Sequence, residues 1–368
     1  MNAGRTDTNL DNMSNAEWHD GQIPDFVGPA LDALYGSLYS SLPQLALGNL
    51  TDTSTYVARN GNQLRALFLY TLAGREARII NEGMRIVATD ADHFARQLFQ
   101  RFDAIDRIEF HAIACDSRPT ALPSLGFTLD EDIVIALPAT EAGYLNSLGK
   151  STRKSLRQNL ARAQTQGLRH EIIPGHDIDA SMVETLIGFN HARLAAKQRS
   201  SALDRVAATQ LLTLVRACGM AGTVTLNGRL SAGTLACRVG DDVYSLVNAH
   251  DPAFDALGMG NLSRHLMIVA AIHSGARRFH LLGGNFNSKR ACGARRQALH
   301  HWVIYRDRLR MIADLPHLLS LALREQRYRL GKALDDATGD VHRQPTLHRV
   351  AILVRLIKHG LHAGKTAQ

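Results

Sequence analysis

The sequence predicts an α/β fold of the α+β type: two tandem domains, each with a mixed, mostly antiparallel sheet flanked by helices, followed by C-terminal helices. Three observations predict it. With 368 residues, the chain is longer than one ordinary domain. An Asn-Gly pair lies between strand-like runs twice, at Asn60-Gly61 and Asn227-Gly228, and such pairs favour the type I′ turns of β-hairpins. After each hairpin the apolar pattern predicts a strand, a helix and a strand.

The first copy of this pattern follows a polar N-terminus. Residues 1–25 hold few large apolar side chains, so we predict that they are unstructured. A helix-like stretch from 26 to 41 comes next. The first copy then comprises the predicted strands Thr55–Ala58, Leu64–Leu72 and Glu76–Ile80, the helix Asp92–Phe102 and the strand Arg107–Ala114.

The second copy repeats the order β-β-β-α-β, which predicts an internal duplication, although chance recurrence is the alternative because the residues differ. Its predicted elements are the strands Gly222–Leu226, Ser231–Val239 and Val243–Ala249, the helix Asn261–Ser274 and the strand Arg278–Leu282. We therefore predict a degenerate first domain at 26–140, a functional second domain at 141–308 and a helical extension at 309–368.

Further helices are predicted between and after the copies. They cover 151–166, Ala180–Lys197, Arg205–Cys218, Leu315–Leu330 and His348–Leu361. The last is basic and amphipathic, a pattern typical of a terminal helix docked on its own domain or of a helix lying on an anionic membrane surface. Both interpretations stay open.

Composition and charge restrict the class of protein. The sequence is 45% hydrophobic and 21% charged and has no apolar run near the roughly 20 residues of a membrane span. The N-terminus lacks the apolar stretch of a secretory signal, so we expect a cytoplasmic protein, with peripheral membrane contact through the last helix as the alternative. The net charge of +8 favours acidic partners such as CoA phosphates, acyl carrier protein, RNA or anionic lipid.

The spacing of cysteine and histidine residues predicts no metal site. The four cysteines are scattered singly, which indicates neither a disulfide framework nor a CxxC site. Cys237 and Cys292 have no evident histidine partner, so we do not expect a covalent acyl-enzyme. HExxH spacing is absent and His300-His301 alone does not form a ligand set, so we expect no metal.

A glycine turn in the second copy is the main candidate for ligand binding. Gly258 and Gly260 separate a predicted strand from a predicted helix, and the free amides of a helix start attract a phosphate group. The alternative is that these glycines only turn the chain. In the first copy the same place holds Asp90 and Asp92, interpreted as helix caps whose charge repels phosphate. One donor site per chain is therefore expected, in the second half.

An ordered set of short motifs resembles the GNAT-type acyltransferases, and within them the double-domain CelD and BcsL cellulose-biosynthesis group and the FemAB-like transferases. The resemblance spans about Tyr144 to Arg306. It rests on Tyr144-Leu145, Thr152-Arg153 through Arg157 and Gly167, His191 with Arg193, Asn227-Gly228 with Ala232-Gly233, Asp251 ahead of Gly258-Met259-Gly260, and Gly283-Gly284 followed by Lys289. It implies two GNAT-like domains and transfer of an acyl group from acyl-CoA or acetyl-CoA by direct attack of an acceptor on the thioester.

The resemblance also implies where the donor binds. The diphosphate is expected at the amides of Gly258, Met259, Gly260, Asn261 and Leu262. The preceding strand is expected to offer a backbone amide that polarises the thioester carbonyl.

Val247 and Asn248 are the candidates for that backbone contact. The candidates for a general base are Asp251, His250 and His280. The alternative roles are a cap or turn former at the strand-to-loop junction for Asp251 and His250, and a core histidine for His280.

Acceptor binding is assigned to four other residues. His191 and Arg193 resemble a pair that faces the central cleft in the family, with a solvated helix face as the alternative. Asn285 and Lys289 follow the second Gly-Gly pair and are candidates for binding an acceptor carboxylate or phosphate, with a solvated basic loop as the alternative.

Three functions remain open from the sequence. The first is transfer of an acyl group from acyl-CoA, or from acyl carrier protein, to an amine or hydroxyl of a sugar, peptide or polysaccharide-type acceptor. The second is a FemAB-like transfer from aminoacyl-tRNA, with Arg153, Lys154 and Arg157 at the RNA phosphates. The third is a non-catalytic binding protein on a transferase scaffold.

Overall fold

The computed structural model describes residues 15–115, 117–196, 203–283 and 286–338. It divides into two compact units. Unit 1 contains the described residues of 15–45, 50–130 and 298–333. Unit 2 contains those of 46–49, 131–297 and 334–338.

Unit 1 contains a sheet that includes the first predicted hairpin. Its strands are β1 (Asn15–His19), β2 (Ser54–Asn60), β3 (Gln63–Ala73), β4 (Glu76–Ile79), β5 (Arg107–Ile113), the start of β6 (Ser124–Ala136) and most of β12 (Arg295–Tyr305). Its helices are α1 (Val27–Tyr35), α2 (Leu42–Leu45), α3 (Ala88–Arg101), α10 (Arg308–Ala313) and most of α11 (Leu315–Thr338). The strands run in the order β1-β2-β3-β4-β5-β12, and only the β4–β5 pair among them is parallel.

Aromatic side chains fill the core of unit 1. Phe94 of α3 packs edge-on against Phe68 and Phe110 of the sheet, with ring centroids 5.2 and 6.1 Å apart. Trp18 of β1 joins them, since its ring stacks on Phe94 at 5.9 Å and meets Tyr56 at 4.7 Å. The expectation that residues 1–25 are unstructured is therefore wrong for 15–25, because Trp18 supplies apolar contact and β1 pairs antiparallel with β2.

Unit 2 forms a second layered fold. Its strands are the end of β6, β7 (Arg169–Pro174), β8 (Gly219–Leu226), β9 (Arg229–Val239), β10 (Asp242–His250) and β11 (Arg278–His280). Its helices are α4 (Glu141–Ser147), α5 (Lys150–Gln164), α6 (Ala180–Ala195), α7 (Arg205–Cys218), α8 (Met259–His273) and α9 (Phe286–Arg290). The strand order is β6-β11-β10-β9-β8-β7, antiparallel except for the parallel β10–β11 pair.

Helices cover both faces of this sheet. A Cβ atom at Gly233 would lie 2.8 Å from Leu186 of α6, whereas the next residue, Thr234, contacts Ser263 of α8. Since neighbouring side chains of a strand point to opposite faces, α6 and α8 lie on opposite sides of β9. The predicted α+β class with helix-flanked, mostly antiparallel strands is confirmed.

The duplicated order β-β-β-α-β is confirmed in both units, as β2-β3-β4-α3-β5 and as β8-β9-β10-α8-β11. The second hairpin has the predicted turn, with φ of +48° at Asn227 and +78° at Gly228. In the first hairpin Asn60 pairs with Gln63, so the turn residues are Gly61 and Asn62. The prediction of a type I′ turn is wrong for this hairpin. Such a turn needs a positive φ at both turn residues, and only Gly61 has one.

The domain boundaries differ from the predicted ones. The division falls at 130/131 rather than at 140, and the chain returns to unit 1 at residue 298. Residues 309–333 are therefore part of unit 1 and not of a separate extension, because Val303 and Tyr305 of β12 and Leu318 and Leu321 of α11 share one hydrophobic cluster with Phe127.

The predicted basic helix His348–Leu361 lies outside the described residues. Within the described ones, no helix combines the length and the apolar character that crossing a bilayer requires.

Candidate functional site

The parallel strands β10 and β11 of unit 2 separate after three residue pairs. Their pairing runs from Asp242↔Arg278 to Tyr244↔His280. Beyond that point Leu281 bonds to Ile133 of β6, while β10 continues along β9 as far as His250. In the described part of the chain, the second half of β10 therefore has a strand partner on one side only.

A β-bulge lies where the strands separate. The register between β10 and β9 shifts between Ser245 and Val247, which leaves Leu246 as the extra residue. A bulge bends its strand and is frequent next to ligand sites. Val247 and Asn248 follow this bulge, beyond the last residue of β10 that pairs with β11.

The start of α8 lies at the end of this strand. Gly258 has a left-handed φ of +62°, which glycine tolerates best, and a Cβ there would lie 2.5 Å from Asn159 Nδ2. The amides of Asn261 and Leu262 bond to the Gly258 carbonyl at 3.0 and 3.1 Å. The Gly258 amide bonds to the Asp255 carbonyl at 2.9 Å, so the prediction that all five amides are free is wrong for Gly258, Asn261 and Leu262. The amides of Met259 and Gly260 lie at the start of the helix, which offers its first amides no acceptor.

Asn248 joins β10 to the start of α8. Its Nδ2 donates to the Gly260 carbonyl at 2.9 Å, and its Oδ1 accepts from Thr234 Oγ1 at 3.0 Å. Thr234 Oγ1 also lies 3.2 Å from Ser263 Oγ. The predicted donor residues of the strand and of the helix are thus brought together.

His250 packs against the same helix turn. Its Nε2 lies 2.6 Å from Oδ1 of the exposed Asp255. A Cβ at Gly260 would lie 2.8 Å from its Nδ1. Glycine at 260 is therefore required by close packing, whether or not a phosphate group binds there.

Asp251 caps the 3-10 helix Pro252–Leu257. Its Oδ1 accepts from the Ala253 amide at 3.0 Å, and its Oδ2 lies 2.5 Å from Arg229 Nη2. Both carboxylate oxygens thus already have partners, in the role of a cap and turn former.

His280 is buried at the place where the strands separate. Its Nδ1 lies 2.5 Å from Asp132 Oδ2, its Nε2 lies 3.4 Å from Asp242 Oδ2, and its ring stacks on Tyr244 at 4.1 Å. Burial lowers the pKa of His280, but the charge and hydrogen bond of Asp132 and then of Asp242 outweigh it and raise the pKa to about 9. The ring is therefore an imidazolium at neutral pH.

Lys289 is buried, which contradicts the alternative of a solvated lysine. Its Nζ donates to the carbonyls of Leu281, Leu282 and Gly283 at 2.6, 2.7 and 2.9 Å. An ammonium group has three hydrogens, so these bonds match its donors. They hold the turn that follows β11, in which Leu282 has a φ of +58°. The neighbouring candidate, Asn285, lies outside the described residues.

The two remaining acceptor candidates lie near the end of α6. His191 Nε2 is 2.9 Å from the Leu203 carbonyl, and Arg193 Nη2 donates to Asn190 Oδ1 at 3.1 Å. Among the described residues, no hydrogen bond or ion pair joins His191 or Arg193 to the donor candidates. Their role in acceptor binding stays a prediction.

The corresponding helix start in unit 1 differs. Asp90 and Asp92 lie inside the first turns of α3, whose N-cap residue is Val87, so the prediction that they cap the helix is wrong. Both are buried, Asp92 accepts from the amides of Thr120 and Ala121, and Asp90 lies 3.8 Å from Arg65. One acidic side chain, Asp90, therefore occupies the first turn in unit 1 and Asp92 follows it in the second turn, whereas the first turn of α8 in unit 2 has no acidic residue.

Several residues that support the site were not found from the sequence. Asp132 and Asp242 hold His280, Thr234 holds Asn248, and Asn159 contacts Gly258. Asp132 is 148 positions from His280 in the sequence, and no local pattern connects them. The one available signal was the polar Thr234 at an inward position of an apolar strand.

Comparison with known proteins identifies a domain family for part of the chain and similar folds. Residues 150–290 match the model of the Acetyltransferase (GNAT) domain family. No curated protein matches the chain in sequence. The crystal structure of FemX is similar with a TM-score of 0.57 at 11% identity, over 77% of this chain and 96% of FemX.

Two further solved structures show weaker similarity. L-PGS from Bacillus licheniformis has a TM-score of 0.49 at 11% identity, over 83% of this chain and 98% of that one. A tandem GNAT protein from the clavulanic acid biosynthesis pathway has a TM-score of 0.35 at 13% identity, over 79% of this chain and 98% of that one. The similarity to FemX concerns the fold alone, and the two lower scores support no conclusion.

Proposed function

We propose that the chain, whose residues 150–290 match the Acetyltransferase (GNAT) domain family, transfers an acyl group from acyl-CoA to an amine or hydroxyl acceptor. The observation that carries the proposal is the separation of β10 from β11 directly before the glycine turn of α8. An extended thioester arm needs an unpaired strand edge, and a diphosphate needs free amides. Both features lie on consecutive segments here.

The donor is held by backbone groups in this proposal. The diphosphate accepts hydrogen bonds from the amides of Met259 and Gly260, where the helix dipole adds a partial positive charge. The acyl-pantetheine arm lies along β10, and the amide of Val247 or Asn248 polarises the thioester carbonyl. Asn248 orients this strand end through its bond to Gly260.

The acceptor attacks the thioester carbon directly. Its nitrogen or oxygen forms the new bond to the acyl carbon, the C–S bond breaks, and CoA leaves as the thiolate or thiol. Holding donor and acceptor side by side supplies much of the rate. Cys237 is fully buried in β9, which agrees with the absence of a covalent cysteine step.

A general base takes the proton that the acceptor loses. His280 is already protonated at neutral pH, and Asp251 is engaged by Arg229 and Ala253. We assign the role to His250, because Asp255 at Nε2 fixes the tautomer that leaves Nδ1 as an acceptor.

The acceptor class is proposed as an amine or hydroxyl of a sugar, peptide or polysaccharide precursor. His191 and Arg193 near the end of α6 are the proposed contacts. Acyl carrier protein is the alternative carrier of the donor, since its phosphopantetheine arm presents the same thioester. The basic character of the chain suits either acidic donor.

The experiment is thermal unfolding of the full chain with CoA, acetyl-CoA, a long-chain acyl-CoA and RNA. A ligand that binds the folded state raises the melting temperature by mass action. The proposal predicts a shift with the CoA species. A shift with RNA alone would instead favour transfer from aminoacyl-tRNA through α5, and no shift with any ligand would favour a non-catalytic binding protein.

An isosteric variant separates donor binding from folding. Asn261→Asp adds a negative charge to the first turn of α8, where an acidic residue stabilises the helix but repels a diphosphate. We expect a higher melting temperature without ligand and a smaller CoA shift. Gln100→Glu adds the same charge on the exposed face of α3 and is the control.

A further inference from the structure

A cluster of titratable side chains in unit 1 takes no part in the proposed acyl transfer. Glu109 and His111 lie on β5, and His301 lies on β12. One ligand atom from each of the three lies within 4.8 Å of the others. Glu109 and His301 are buried, and the His111 side chain is 14% exposed.

The backbone brings these three side chains to one place. Glu109 and His111 are two positions apart on a strand and so share a face. A β-bulge follows, since His300 pairs with Ile113 but Trp302 pairs with Phe110. His111 and Ala112 of β5 therefore lie opposite His301.

The bulge is strained at Ala112, whose φ is +50°. A non-glycine residue in this region costs on the order of 1–2 kcal/mol. Bulges that turn side chains toward a ligand are common next to functional sites.

The distances fit metal coordination. His111 Nε2 and His301 Nε2 lie 3.3 and 3.2 Å from the same oxygen, Glu109 Oε2. Ligand atoms at about 2.0–2.1 Å from a tetrahedral zinc ion lie about 3.3 Å from one another. Both distances from Glu109 Oε2 thus match the spacing of zinc ligands, and all three ligand atoms lie within 4.8 Å of one another.

The Nε2 atoms of the two histidine ligands lack a hydrogen bond within the described residues. His111 Nε2 and His301 Nε2 are buried, and within the described residues neither makes a hydrogen bond of acceptable geometry. Leaving a buried polar atom without a partner costs about 1–3 kcal/mol. A metal ion between the three groups would satisfy both nitrogens at once.

The second carboxylate oxygen is held from the other side. Glu109 Oε1 lies 2.8 Å from His317 Nε2 of α11 and 3.1 Å from Arg107 Nε. Arg107 also forms ion pairs with two other carboxylates, from Nη2 to Glu76 Oε2 at 2.6 Å and from Nη1 to Asp314 Oδ2 at 3.0 Å. Arg107 therefore orients the carboxylate through a hydrogen bond, as partners of metal ligands commonly do, and His317 contacts the same oxygen although its Nε2 also makes no hydrogen bond of acceptable geometry within the described residues.

We propose that Glu109, His111 and His301 bind one divalent transition-metal ion of the zinc class, with His317 as a positioning residue. Two imidazoles and one carboxylate are typical ligands of zinc and leave a fourth position for water. The sequence prediction that no metal binds rested on the absence of HExxH spacing, and this cluster is assembled from two strands instead.

The test measures metal content of the full chain. The protein is treated with a chelator, desalted, incubated with Zn²⁺ and desalted again, and its zinc is measured by mass spectrometry. The proposal predicts about one zinc per chain in the wild type, loss of the ion in His111→Ala and His301→Ala, and retention with roughly 10–100-fold weaker affinity in His317→Ala.

His300→Ala is the matched control. His300 is the direct neighbour of His301, and its Nδ1 lies 3.3 Å from Thr128 Oγ1, outside the cluster. It should bind zinc like the wild type. A wild type without zinc, or equal zinc in His300→Ala and His301→Ala, would overturn the proposal.

A second measurement does not depend on folding of the variants. Co²⁺ titrated into the chelator-treated wild type should give the visible absorption of a four-coordinate nitrogen and oxygen site, and Zn²⁺ should displace it. A cobalt spectrum identical to that of the hydrated ion would contradict the proposal.

Discussion

The Nδ1 atom of His250 lies so near Gly260 that a Cβ added there would be 2.8 Å from it. The last residue of β10 thus packs against the first turn of α8. Asn248 reinforces the same contact by donating to the Gly260 carbonyl at 2.9 Å. The proposed donor site therefore depends on one tight strand-to-helix junction.

Replacing Gly260 with alanine tests this junction. Because the added methyl meets the His250 ring, Gly260→Ala should lower the free energy of unfolding by about 2 kcal/mol, as overpacking does. In the double variant Gly260→Ala/His250→Ala the ring is gone, so most of the steric loss should disappear relative to His250→Ala alone. Urea unfolding of the four proteins measures the coupling.

Gly188→Ala is the control for that cycle. Gly188 lies in α6 with open space at its Cβ position, so alanine should stabilise the helix by about 0.5–1 kcal/mol. Additive effects of Gly260→Ala and His250→Ala would show that the contact is not tight.

Substitutions of Asp251 distinguish its role as a helix cap from a role as the general base. Asparagine is also a good cap, so Asp251→Asn should unfold within about 0.5 kcal/mol of the wild type, whereas Asp251→Ala should lose about 1 kcal/mol. Thiol release from acyl-CoA should persist in Asp251→Asn. If that variant is stable yet inactive, Asp251 and not His250 is the base.

The raised pKa of His280, caused by Asp132 and Asp242, predicts a dependence of stability on pH. Its pKa is raised to about 9 in the folded chain, against about 6.5 when unfolded. The stabilisation is fully present below pH 6.5 and is lost as the pH rises through 9. It amounts to at most about 3 kcal/mol, from 1.36 kcal/mol per pKa unit.

Urea unfolding between pH 6 and pH 9.5 measures this loss. Asp132→Asn removes the main source of the raised pKa, so its stability should fall less steeply over the same range. His273→Ala, at an exposed histidine, should follow the wild-type curve. A wild-type stability that does not fall between pH 7 and 9.5 would exclude a charged His280.

Lys289 is expected to stabilise the turn after β11. Lys289→Met removes the donor for three carbonyls, so we expect a loss of about 2 kcal/mol, measured by thermal or urea unfolding. Arg290→Ala, at the exposed neighbour, should cost less than about 0.5 kcal/mol. Equal effects of the two substitutions would mean that the carbonyl contacts contribute little.

Local patterns predicted much of the fold. The Asn227-Gly228 turn, the helix α7 and the alternation of strands and helix in both copies follow from short-range spacing. Placement of Gly258 and Gly260 between strand and helix also followed from local order. These features depend on neighbours in the sequence, which is why spacing predicts them.

Contacts between distant segments were not predictable in this way. The polar N-terminus did not indicate that β1 pairs with β2. Nor did the sequence indicate that β12 returns to unit 1 after residues 131–297 of unit 2. Glu109 and His111 alternate on one strand, but His301 reaches them only through pairing of β5 with β12. No single-sequence pattern records such pairing.

Calorimetric titration of acetyl-CoA into the full chain tests the proposed donor site most directly. We expect saturation at one donor per chain, because unit 1 has Asp90 in the corresponding first helix turn and Asp92 directly after it. Asn261→Asp should weaken binding while leaving the fold intact, and Gln100→Glu should not. A folded wild type that gives no heat with any acyl-CoA, or that binds two per chain, would contradict the donor site at β10 and α8.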